Sequence, residues 1–194
     1  MSLATLLLFC LFLFACVGLT GRTAWRLRVQ EGAIAAFALV LLALSAFPVA
    51  LSDDISLSCA SLLLFATALR LCRGVPDIVE ALLCAVPAGA LGWCLYSLVP
   101  FYEAGALLAV PAALLPRLLL RRKRTALLAA VTAPLVFGLC RTLEDWYLFD
   151  WRALALGGGV QFDAQIAALF LLALLWYLPV RRRVAVPPRP REAA

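Results

Sequence analysis

Long apolar runs alternate with short polar clusters along the whole chain. Seven runs predict membrane-embedded helices: residues 2–20, 33–52, 55–72, 78–101, 104–120, 125–140 and 163–180. At 1.5 Å per residue, about 20 residues cross a hydrocarbon core about 30 Å thick. The sixth run is short for this, so its helix is expected to continue through Arg141, Glu144 and Asp145. Their i, i+3, i+4 spacing puts these three on one face. Pro48 falls near the far end of the second span, where a bundle tolerates it because neighbours satisfy the freed carbonyl. Pro111 and Pro116 predict a kinked fifth helix. Gly89 and Gly92 in the fourth allow a neighbouring helix to approach closely.

The polar clusters alternate in sign. Basic residues gather at Arg22, Arg26 and Arg28, at Arg70 and Arg73, at Arg121-Arg122-Lys123-Arg124 and at Arg181-Arg182-Arg183. Acidic residues gather between them, at Asp53-Asp54, at Glu103 and along 144–163. Short Lys/Arg-rich loops stay in the cytoplasm, which puts the N-terminus outside and the C-terminus in the cytoplasm. So threaded, the inner face holds 15 basic and 4 acidic residues and the outer face 2 basic and 7 acidic, accounting for all 17 and all 11. No positive charge precedes the first apolar run, so it reads as a retained helix and not a cleaved signal peptide. Arg70 or Arg73 is expected to pair with Asp77 or Glu80 across the inner turn at 74–80. The fold class is all-α: a polytopic transmembrane helix bundle of about seven spans, one domain over 1–183. A disordered cytoplasmic tail with Pro187, Pro188 and Pro190 follows at 184–194.

Composition sharpens this picture. The chain is 65% hydrophobic and 14% charged, against a soluble norm of about 45–50% and about 25%. That surplus needs lipid as its solvent, and the cell membrane is the expected location. Seven cysteines contain no C-x-x-C pair and sit almost entirely in apolar runs, so they read as small buried hydrophobes. The absence of histidine removes every Ser-His, Cys-His and His-metal mechanism. No ionisable residue falls near the middle of a span, which argues against proton or sodium coupling through a buried carboxylate. The basic face reads as attraction to anionic lipid headgroups on the cytoplasmic side. Nucleic acid is not an expected partner, because no basic domain or aromatic-interleaved basic patch exists.

The least lipid-like stretch is the outer segment at 141–163, extended to 165 as the candidate site. It carries Arg141, Glu144, Asp145, Trp146, Tyr147, Asp150, Trp151, Arg152, Gln161 and Asp163. Its four carboxylates have the chemistry to bind a hard divalent cation or to act as an acid–base pair. The plainer reading balances Glu144 and Asp145 against Arg141, pairs Asp150 with Arg152 and makes Asp163 the N-cap of the seventh helix. Trp146, Tyr147, Phe149 and Trp151, with Leu148, Leu154 and Leu156, suit a short helix in the outer headgroup layer or a face for a partner protein. Gly157-Gly158-Gly159 lacks the spacing and lysine of a nucleotide loop and reads as a hinge. No catalytic residue, metal set or cofactor site is assigned. The expected function is a non-enzymatic binding or assembly component working through this outer segment, with another membrane protein as candidate partner. The alternative is a small permease for an uncharged or amphipathic solute, and third comes a membrane enzyme acting through the outer carboxylates.

Overall fold

The computed structural model describes residues 2–18, 30–52, 55–98, 104–149 and 154–177. Its elements are α1 (Leu3–Cys16), α2 (Glu31–Ser45), β1 (Pro48–Ser52), β2 (Ile55–Ser58), α3 (Cys59–Leu71), α4 (Val75–Leu98), α5 (Ala104–Leu119), α6 (Lys123–Phe149), β3 (Leu154–Leu156) and α7 (Gly159–Tyr177). Three helices, α4, α6 and α7, are long and apolar enough to cross a membrane. Together with the apolar surface they mark the chain as a membrane protein. The proline-rich tail at 184–194, the first basic loop and the Arg181–Arg183 cluster lie outside the described residues.

The all-helical expectation misses a small sheet. β1 and β2 pair antiparallel and β3 adds in parallel to β2, with Ile55 opposite Leu154 and Leu57 opposite Leu156. Pro48 stands at the start of this sheet: α2 stops at Ser45, and Pro48 opens β1, a position that needs no donor. In β2, Ile55-Ser56-Leu57-Ser58 alternates with the period of a strand, and Ser58 then caps α3 by accepting from the N–H of Ser61 at 3.4 Å. The spans expected at 33–52 and 55–72 are therefore corrected: their facing ends form a hairpin, leaving helices of 15 and 13 residues.

α6 is the centre of the bundle, packing against α3, α4, α5 and α7. Its most apolar stretch is 56% buried, against 33% for α4 and for α7. Sequence explains the intimacy, since Ala126, Ala129, Ala130 and Ala133 present little more than backbone to their neighbours. A Cβ added at Gly89 of α4 would lie 2.6 Å from the Ala133 carbonyl oxygen, so those two helices touch backbone to backbone. Large apolar side chains instead face outward, among them Leu83, Leu98 and Leu118.

Helix ends meet in two groups. At the sheet end, the Asp163 carboxylate of α7 accepts from the N–H of Ala4 in the first turn of α1, at 2.9 Å. Trp93 near the end of α4 meets Glu144 near the end of α6. At the opposite, basic end, Asp77 in the first turn of α4 pairs with Arg122 just before α6 and accepts from the N–H of Arg73 at 3.3 Å. The partner of Asp77 is thus Arg122, with Arg73 contributing only its backbone. Lys123 lies 5.5 Å above the ring of Trp176 from α7, a contact in which the ring face attracts the cation.

Candidate functional site

The extension of the sixth helix is observed: α6 runs without a break from Lys123 to Phe149. At 27 residues it is about 40 Å long, against a hydrocarbon core of about 30 Å. Trp146, Tyr147, Leu148 and Phe149 belong to its last turns, and no separate short helix begins there. Asp150, Trp151 and Arg152 lie outside the described residues.

Helical spacing gives the far end of α6 two faces. One faces α4 and is polar. Arg141 donates to the Tyr96 hydroxyl at 2.8 Å, with its guanidinium carbon 4.8 Å from the Tyr96 ring centre. Glu144 accepts from the indole N–H of Trp93 at 2.7 Å. Tyr96 in turn meets Phe137 edge to face, 5.6 Å between centroids. Asp145 lies 3.9 Å from Arg141 along the same helix. That pair is long and half-exposed, worth about 0–1 kcal/mol. The polar face therefore acts as a clasp between α4 and α6. Trp93 and Tyr96 stand at i, i+3 in the fourth apolar run, and that spacing is the sign in the sequence of a shared face.

The other face is bare. Leu143, Trp146 and Tyr147 border an open hollow, and Tyr147 is 89% and Trp146 55% exposed. Aromatic side chains this exposed at a helix end need a headgroup layer or another protein against them.

Gln161 and Asp163 do not join this cluster. Gln161 accepts from the N–H of Gly157 at 2.6 Å and donates to the carbonyl of Ala155 at 2.9 Å, so it braces the turn between β3 and α7. Its amide lies over Gly138, where a Cβ would be 2.2 Å from the nitrogen. The hinge reading of the glycines becomes more specific. Gly157 has φ +72° and Gly159 φ +38°, and a Cβ on Gly157 would sit 2.4 Å from the side chain of Ser61. Asp163 was expected to cap the seventh helix. That helix starts four residues earlier, at Gly159, and Asp163 caps α1. Glu144, Asp145 and Asp163 are thus directed to three different partners. Among the described residues no group of three or more His, Cys, Asp or Glu side chains is placed to hold a metal ion.

A second polar feature escaped the sequence reading. Gln165 is fully buried, accepts from the Ser61 hydroxyl at 2.7 Å and donates to the carbonyl of Val131 at 2.9 Å. It ties α7 to α3 and α6. Pro134 lacks the N–H that would bond the neighbouring Ala130 carbonyl, so the amide arrives where the ladder of α6 is interrupted. A glutamine within an apolar run was the sign, since polar side chains at that depth hydrogen-bond across helices. No family model matches the chain, and no curated protein or solved structure is similar to it.

Proposed function

We propose that this protein is a multi-pass component of the cell membrane that binds another membrane protein through the far end of α6, its N-terminus outside and its C-terminus in the cytoplasm. The carrying observation is the division of that end. Arg141 and Glu144 are occupied in holding α4, while Leu143, Trp146 and Tyr147 on the opposite face are exposed. About 10 Å of α6, or about seven residues, exceeds the hydrocarbon thickness, and with Lys123 and Arg124 among the headgroups most of that excess falls at its far end. The threading rests on the charge alternation, with the Arg121–Arg124 loop held inside among anionic headgroups. The contact of α4, α5 and α6 around Gly89, Gly92 and Pro134 leaves no room for a water molecule, so it lends a permease no support.

A photo-crosslinking residue at Tyr147, in native membranes, tests the reading. It is expected to yield one discrete protein adduct that Trp146→Ala removes. The same probe at Leu83, an exposed side chain of α4, is expected to give lipid adducts only. Lipid adducts alone at both positions would overturn the partner reading and leave an interfacial anchor. Native mass spectrometry of gently solubilised protein separates the alternatives, since a permease would retain a small molecule and no stoichiometric protein.

A further inference from the structure

Among the described residues, two buried side-chain polar atoms lack a hydrogen-bond partner, and both lie at one junction. They are Nε of Arg117, in the last turn of α5, and Oγ1 of Thr125, in the first turn of α6. Thr125 is fully buried. Three other helical threonines solve the same problem internally. Thr67, Thr132 and Thr142 each donate to the carbonyl four residues back, at 2.7, 2.7 and 3.0 Å. For Thr125 that carbonyl belongs to Arg121, which precedes the helix.

The junction has the character of an anion site. Helical side chains lean towards the helix N-terminus, so the Cα–Cβ bond of Thr125 tilts towards the open end of α6. There the first N–H groups lack helical acceptors, and the dipole of a 27-residue helix favours negative charge. Both orphaned atoms are donors or able to donate, and the guanidinium is cationic, so the missing partner is an acceptor and not a metal. Asp77, which meets the segment before α6, is already taken by Arg122 and by the N–H of Arg73. With Arg122 held there and Lys123 held against Trp176, the first turn of α6 is fixed from both sides. Arg121 and Arg124 are exposed and add screened attraction.

We infer that the α5–α6 junction is a phosphate-binding site, with Arg117 and Thr125 as its buried donors and the first turn of α6 as its cradle. The phosphate belongs either to an anionic phospholipid headgroup or to a solute of the surrounding water. The site is separate from the aromatic end and does not depend on which compartment either faces.

The test uses the full-length protein in maltoside micelles free of phosphate, titrated with phosphatidylglycerol in one arm and inorganic phosphate in the other. Binding is read by native mass spectrometry and by the rise in melting temperature. A response to the lipid identifies a headgroup site, and a response to phosphate alone identifies a soluble ligand; either supports the site. Arg117→Gln and Thr125→Val are each expected to weaken binding by about tenfold, the loss of one charge-assisted hydrogen bond. Arg124→Gln, with the same loss of charge at an exposed position, is expected to weaken it less than about twofold. Without ligand, Thr125→Val should melt no lower than the parent protein, because it removes a buried unpaired hydroxyl. The site is refuted if neither ligand binds, if Thr125→Val binds as tightly as the parent, or if Arg124→Gln weakens binding as much as Arg117→Gln.

Discussion

Replacing Gln165 by Leu removes a side chain that ties three helices in the core. Leucine has a similar volume, so the loss is mainly of the bonds to Ser61 at 2.7 Å and to the Val131 carbonyl at 2.9 Å. Hydrogen bonds between helices in a membrane average about 0.6 kcal/mol and reach about 1.7. Two of them put the expected destabilisation at roughly 1–3 kcal/mol. The assay is reversible unfolding in bicelles, followed by circular dichroism, of the parent, Gln165→Leu, Ser61→Ala and the double variant. The double variant should be less destabilised than the sum of the singles by roughly 0.5–1.5 kcal/mol, because the Ser61–Gln165 bond is lost only once. A Gln165→Leu protein as stable as the parent, or strictly additive losses, would refute the Gln165 tie.

Three further outcomes follow from the packing. Gly89→Ala should cost about 1–3 kcal/mol, because its Cβ would lie 2.6 Å from the Ala133 carbonyl oxygen and 2.7 Å from Val136 Cβ. Gly158→Ala, with nothing within 4 Å, should stay within about 0.5 kcal/mol of the parent; equal effects in the same unfolding assay would contradict the backbone contact. Asp163→Ala should lose about 0.5–2 kcal/mol by leaving the Ala4 N–H of α1 without its acceptor, with Ser2 still capping Thr5, and Asp163→Asn should retain most of it. Trp93→Phe and Glu144→Ala should be non-additive in stability, since each removes the same 2.7 Å bond.

Much of this architecture was legible in the order of apolar runs. The helical character of the spans, the continuation of α6 through Arg141, Glu144 and Asp145, and the small-residue contact at Gly89 follow from periodicity and side-chain size, which act locally. The hairpin was not, although Pro48 and the alternation of Ile55 to Ser58 signalled it. An apolar run reads alike as helix and as buried strand, and it was the parallel pairing with distant Leu154 to Leu156 that decided. The same limit applies to the site. That Arg141, Glu144 and Asp145 share a helix face is a local fact. That Glu144 meets Trp93, 51 residues away, and that Asp163 caps a helix 159 residues away, are facts of packing that no spacing rule contains. The aromatic residues were recognised as exposed because Trp and Tyr prefer an interface wherever the chain leads them.

The central claim is the threading, and it is tested most directly with two single cysteines, Gly158→Cys at the sheet end and Gly74→Cys at the basic end, in a background with the seven native cysteines replaced. Both glycines are exposed and both leave space for a Cβ, so the substitutions report side and not damage. A membrane-impermeant maleimide should label Gly158→Cys in intact cells and reach Gly74→Cys only after permeabilisation. Labelling of Gly74→Cys in intact cells, with Gly158→Cys protected until lysis, would show that the basic end faces outward and that the chain is threaded the other way.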